Sequence, residues 1–264
     1  MACRAYHHGL ASLAVAEPTY VCAERELEPI VAAEDTAAMR VSFDRSRGSE
    51  ALTQRLLRFG PGRSAARGPG ELEEALFVVE GSGTVVLDGS AHAVEPETAV
   101  RVLPGQSYEV DNPGPGELAL VSVLVPAAAE APREAPAVVR LSDQESREAT
   151  SDRAFRILLD PEHGLTGGTQ FVGEIPTKRA PEHYHHYDEV IYVLEGEGVL
   201  HIGDDHTPIG PASCIHLSPR LQHCLENTGP GEMRVVALFR PAGDPSEAYL
   251  PGGERAGIER SEQE

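Results

Sequence analysis

Nowhere among the 264 residues is there an apolar run long enough to span a bilayer. The N-terminal stretch MACRAYHHGLASLAVAEPTY is only weakly apolar, broken by His7, His8 and Glu17, and lacks the compact apolar core of a secretory signal. Cysteine is sparse and unpatterned. Cys3, Cys22, Cys214 and Cys224 form no C-x-x-C pair, so reduced thiols and a cytoplasmic location are expected. Positive charge is also short: 22 Lys and Arg stand against 42 Asp and Glu, for a formal net charge of −20. Such a field repels phosphate backbones and anionic lipid heads, so neither nucleic acid nor a membrane surface is an expected partner. The acid excess is spread along the chain, as it is where charge serves solubility. Helical periodicity is scarce as well, with LSDQESREATSDRAFRILL the best candidate.

What the chain does have is glycine and proline, 26 and 21 residues scattered rather than clustered. That suits many short strands joined by turns. It also has an internal repeat. At an offset of 115 residues Pro61 falls on Pro176, Glu74 on Glu189, and Phe77-Val78-Val79-Glu80-Gly81 on Tyr192-Val193-Leu194-Glu195-Gly196. Gly83 falls on Gly198, Pro104 on Pro219, Asn112 on Asn227, and Gly114-Pro115-Gly116-Glu117 on Gly229-Pro230-Gly231-Glu232. This is a duplication.

Each copy reads as β-rich. ALFVVEGSGTVVLDG and EVIYVLEGEGVLHIGDD are hairpin signals, two strands around a Gly-containing turn. ELALVSVLV and EMRVVALFR close the copies as apolar strands. Many short strands with turns predict an all-β sandwich or barrel in each half. The expected organisation is an N-terminal arm over 1–24, a first barrel over 25–125, an Ala/Pro-rich linker over 126–139, a second barrel over 140–245 and a tail over 246–264. The arm is expected either to dock on the other domain as a strand or to fray.

The second copy contains PEHYHHYDEVIYVLEGEG. His183 and His185 are two apart, so on a strand both point to one face. Glu189 follows at the start of the next strand, and His223 arrives later, after a Pro-containing turn. Three imidazoles and one carboxylate on an inner face can hold one divalent first-row metal per chain (Fe, Mn, Ni, Co or Zn), with positions left open for water or substrate. The alternative is a set of hydrogen-bonded barrel polars.

These segments resemble the two motifs of the cupin superfamily. H-x-H, then Glu, then Gly is met by His183, His185, Glu189 and Gly196; Gly, Pro, His-x-x-x-Asn is met by Gly210, Pro219, His223 and Asn227. One departure is that Arg220, Leu221 and Gln222 fill a turn where the pattern has glycine. The resemblance implies two tandem double-stranded β-helix (jelly-roll) barrels and a metal site of His183, His185, Glu189 and His223. It leaves the reaction open, because one fold hosts many chemistries. In the first copy the same offset puts Gly68, Gly70 and Tyr108 at the three histidine positions, with only Glu74 kept, so that barrel is expected to be metal-free.

Other residues have plainer readings. His186 should point away from the site. His163, His201, His206 and His216 have no partner at ligand spacing, Arg220 reads as a solvent-facing turn residue or, alternatively, as a holder of an anionic substrate group, and Cys224 should point away from the metal. If Glu189, Ile191 and Val193 line the barrel, then Val190, Tyr192 and Leu194 face outward and need cover, from the other barrel, the arm or a second subunit. A homodimer is expected on that ground. The expected function is a metal-dependent enzyme on a small oxygenated substrate. By resemblance, a dioxygenase of the quercetinase type leads, with Glu189 doubling as a base. A non-redox isomerase or hydrolase (sugar isomerase or ureidoglycine aminohydrolase type) is the alternative, and a non-catalytic ligand binder the second.

Overall fold

The computed structural model describes residues 20–132, 134–149 and 152–256. The rest of the arm, residues 1–19, and the end of the chain, residues 257–264, lie outside the described residues. Among the described residues the regular structure is β-strand, with three short 3₁₀ turns and no α-helix. The helical candidate is corrected. Leu141–Asp143 is a single 3₁₀ turn, and Ala154–Leu159 is a strand paired along Thr169–Ile175. That ladder buries Phe155, Ile157, Leu158 and Leu159, and tertiary pairing overrides the weak local preference.

Each copy folds as a large and a small antiparallel sheet facing each other. In the first copy the large sheet runs Val138–Arg140, Thr98–Val102, Glu73–Glu80, Leu118–Val125, Thr53–Phe59, Ala37–Phe43, Ile30–Val31. The small one runs Gly62–Arg63, Tyr108–Asn112, Gly83–Leu87, Ser90–Val94. In the second copy the large sheet runs Val21–Ala23, Ser213–Leu217, Asp188–Glu195, Met233–Arg240, Thr169–Ile175, Ala154–Leu159, Arg147–Glu148. Asp205–Ile209, Gly198–Ile202 and Cys224–Asn227 form its small sheet. These are tandem jelly-roll barrels.

The edge strands are exchanged. Val21–Ala23, which precedes the first copy, pairs with Ser213–Ile215 of the second, while Val138–Arg140, which precedes the second, pairs with Thr98–Val100 of the first. Each exchange caps a sheet edge that would otherwise present unpaired backbone groups. The carboxylates next to the motif glutamates cross over reciprocally as well. Glu73 of the first copy accepts hydrogen bonds from the backbone N–H and hydroxyl of Thr166 and the N–H of Gly167 (3.0, 2.8 and 2.8 Å). Asp188 of the second copy accepts from Ser49 at 3.3 Å and lies 2.7 Å from the ring of buried His216.

Three cores follow from strand alternation. Leu76, Val78, Val100, Val102 and Leu120 fill the first barrel; Ile191, Val193, Ile215, Leu217 and Val235 fill the second. The third core lies between the barrels, where Phe77, Val121 and Val123 meet Val190, Tyr192, Val236 and Leu238, with Leu194 packed against them. Barrel packed on barrel is thus the cover for the outward apolar faces, and a second subunit is not needed to bury them. The clamp at Glu73 gives a first prediction. E73A leaves the N–H groups of Thr166 and Gly167 facing an apolar gap, while the Thr166 hydroxyl can still donate to the Ala129 carbonyl, for a loss of roughly 3 kcal/mol. Thermal unfolding should show the melting point falling by several degrees; an unchanged melting point would show that the clamp carries no stability.

The offset of 115 holds from Gly70 onward, but not in the strands before it. Leu118 pairs with Phe59 while Met233 pairs with Ile175, so the strands leading into each barrel are related by 116. Tyr108 accordingly pairs with Arg67, as His223 pairs with His183. The register returns to 115 at Gly70, whose carbonyl accepts from Gly105 as that of His185 accepts from Arg220 (both 2.7 Å). Arg67 rather than Gly68 is therefore the structural counterpart of His183, and Pro61 and Pro176 are one residue out of register.

Candidate metal centre

His183 and His223 face each other across an isolated antiparallel bridge, with reciprocal backbone hydrogen bonds of 3.0 and 2.9 Å. His185 is tied in by the turn of the second motif. Arg220 adopts φ +66° and donates its N–H to the His185 carbonyl; Gly105 does the same in the first copy at φ +78°. The missing glycine of the motif is therefore replaced by an arginine held in the left-handed region, its side chain exposed to solvent.

The three rings converge. Their centroids lie 5.0 Å (His183–His185), 4.6 Å (His183–His223) and 5.3 Å (His185–His223) apart. Ligand atoms from the three lie within 4.8 Å of one another, the one such group of three or more metal-ligating side chains among the described residues. Each ring is oriented by its Nδ1. It lies 3.0 Å from the Pro181 carbonyl for His183, 2.7 Å from that of Glu247 for His185, and 2.9 Å from that of Leu221 for His223. A carbonyl only accepts, so each Nδ1 carries the proton and Nε2 keeps its lone pair. Burial pulls all three imidazoles toward the neutral form: His183 and His223 are lowered, and His185 falls to about 3. Neutral imidazoles with free Nε2 lone pairs are what a metal takes.

Glu189 lies outside the group of three but lines the same cavity. Burial, with Asp188 adding to it, pushes its carboxyl up to about 8. A divalent cation would reverse that by favouring the charged form. The cavity measures about 90 Å³, and Phe155, Phe171, Ile191 and Leu217 contribute its apolar wall. His186 is exposed, as expected, and packs edge-on against Tyr249 at 4.5 Å. His163, His201, His206 and His216 have carboxylate or imidazole partners instead: His163 with Asp160, His201 with Glu226 and His206, His216 with Asp188. Cys22, Cys214 and Cys224 are free and buried.

Three contributors escaped the sequence reading. Tyr187 stacks on His185 at 4.5 Å and on Phe239 at 4.0 Å, and burial holds its phenol well above the ordinary range. It shares the two-residue alternation of His183, His185 and Glu189, so the signal for it was present. Pro245, Ser246 and Ala248 line the cavity, and Tyr249 pairs with Tyr184 through 2.9 Å bonds, so a segment beyond the last long strand both walls the site and orients His185. Arg153 comes from the loop before Ala154–Leu159 and also lines the cavity. No sequence pattern brings these last two to the motif.

The first barrel is built differently at the same place. One oxygen of Glu74 accepts from Arg55 (2.5 Å), Ser122 (2.5 Å) and Tyr108 (3.0 Å). Arg55 stands opposite Ser122 in the ladder as Phe171 stands opposite Ala237. A guanidinium therefore balances the surviving carboxylate from the position that Phe171 holds in the second barrel.

The family model described as "Cupin domain" matches residues 55–124 and 172–239, together more than half of the chain. The chain belongs to the cupin family. Among solved structures this bicupin is similar to the putative glyoxylate induced protein from Pseudomonas aeruginosa. That match has 19% identity and a TM-score of 0.68, and covers 88% of this chain and 93% of that one. It is also similar to the protein Ylba from E. coli (14%, TM-score 0.69, covering 83% and 89%) and to a mutant of oxalate decarboxylase OxdC from Bacillus subtilis (13%, TM-score 0.68, covering 92% and 81%). At such identities the likeness establishes the shared fold. No curated protein matches this cupin. No helix among the described residues is long and apolar enough to cross a membrane.

Proposed function

We propose that the cavity of the C-terminal barrel is a metal-dependent active site for a small oxygenated molecule, working without dioxygen. The observation that carries this is the set of three imidazoles, each with Nδ1 on a backbone carbonyl and Nε2 free toward the others. His183, His185 and His223 would hold a divalent first-row metal through Nε2, and Glu189 through its carboxylate. The bound metal would supply Lewis-acid stabilisation of negative charge developing on a substrate oxygen. The chain's own residues do the rest. Tyr187 and the Glu247 carbonyl fix the His185 ring, the apolar wall excludes water, and Glu189, when not engaged by the cation, can take a proton from the substrate.

Cavity size supports the non-redox reading over the quercetinase type. A cavity of ~150 Å³ accepts benzene. At about 90 Å³ this one favours a few-carbon substrate over a flavonol. The dioxygenase expectation rested on that comparison, so an isomerase or hydrolase on a few-carbon substrate takes first place. The deciding measurement is turnover of hydroxyketones, hydroxy acids and ureido acids by metal-loaded protein in an oxygen electrode and under argon. Equal turnover in both, with no oxygen consumed, is expected. Stoichiometric oxygen uptake, or rapid consumption of quercetin, would return the dioxygenase to first place.

A further inference from the structure

Of the arginine and lysine side chains around the second barrel, Arg153 is the one that lines the cavity, and it has no carboxylate partner among the described residues. Arg156 is paired with Glu174 at 3.1 Å, Arg179 lies 3.8 Å from Glu182, and Arg234 is paired with Glu195 at 2.8 Å. Arg153 is partly buried, and its hydrogen bond goes to the backbone carbonyl of Leu225. One carbonyl satisfies only part of a five-donor guanidinium. The side chain lines the same cavity as His183, His185, His223 and Glu189, and burial lowers its pKa.

The charge count gives this a chemical meaning. Glu174 and Glu189 are the two carboxylates in the cavity wall; the first is engaged by Arg156, and the second faces the imidazoles. With neutral imidazoles, one carboxylate and a divalent cation, Arg153 raises the net charge of the cavity to about +2, inside a chain whose formal charge is −20. A neutral diol or ketone would leave the guanidinium desolvated and unpaired, whereas a carboxylate would meet its fork with two parallel hydrogen bonds.

We propose that Arg153 binds a substrate carboxylate, which makes the substrate class a few-carbon organic acid carrying a second oxygen function. The carboxylate sits at the guanidinium, and the adjacent hydroxyl, keto or second carboxylate oxygens face the three imidazoles. This rests on the metal-dependent reading of the same cavity. Arg220, the other arginine near the motif, stays in solvent and has no part in it.

Calorimetric titration tests it with glycolate, lactate and malonate, each against its neutral amide, on cobalt-loaded and on metal-free protein. At least one acid should bind the wild type about tenfold tighter than its amide. R153Q should bring acid and amide within about threefold of each other, and R153K, which keeps the charge but loses the fork, should fall between. Both variants should keep wild-type cobalt content and circular dichroism, so that the loss is assigned to the guanidinium. If the wild type takes up no cobalt, the metal-dependent reading fails, and the acid-to-amide preference of the metal-free protein decides the anion site separately. No preference across the set, or a preference that survives in R153Q, overturns the proposal.

Discussion

H183A/H185A is expected to lower metal content from one equivalent per chain to below about 0.1 while leaving the β fold in place. The double substitution removes two of three converging nitrogens and leaves His223 and Glu189, too few donors for a first-row ion against competing water. The fold should survive because the apolar core of that barrel, Ile191, Val193, Ile215, Leu217 and Val235, touches neither substitution's role. Elemental analysis of protein purified without added metal is one readout. Thermal unfolding is the second: metal at a hundred times its Kd should stabilise the wild type by about 2.7 kcal/mol and leave the double variant unmoved. Retention of stoichiometric metal by the double variant would show that the ion sits elsewhere.

R55M should be the most damaging substitution in the N-terminal barrel. Glu74 is fully buried, and the Arg55 guanidinium at 2.5 Å is its cationic partner there. The second Glu74 oxygen already has no hydrogen-bond partner, so there is no reserve. Removing the guanidinium leaves a buried carboxylate with only hydroxyl donors, at a cost of about 3–5 kcal/mol. The double variant R55M/E74M should recover most of that, since replacing both partners of a buried pair by apolar groups is often neutral. Equilibrium unfolding in urea measures both. If R55M costs less than 1 kcal/mol, the pair is not the replacement for a cation that the geometry suggests. Metal should be absent from this barrel in either variant, and an anomalous signal beside Glu74 would contradict that.

The pair also explains how one duplication produced two different interiors. In the second copy Phe171 and Glu189 both line the cavity, and no arginine or lysine pairs with Glu189 among the described residues. In the first, Arg55 occupies the equivalent ladder position and supplies the cation from within the chain. Tyr108 replaces the third imidazole with a phenol that burial keeps neutral, and its hydroxyl donates to Glu74.

Much of this was legible in the sequence because it depends on local period. Two-residue alternation placed Ile191 and Val193 inside and Val190 and Tyr192 outside. The H-x-H spacing put His183 and His185 on one face, and the repeat marked both copies. What the sequence left undetermined depends on contacts between residues distant along the chain. Strand Val21–Ala23 joins the far barrel because an exposed sheet edge there needs backbone partners, a requirement that no local pattern encodes. The one-residue shift between the copies follows from ladder register, which an ungapped offset does not see. Arg55 reaches Glu74, and Arg153 reaches the cavity of the imidazoles, only once strands from opposite ends of each copy lie side by side. Periodicity tells which way a side chain faces; what it meets there is decided by packing.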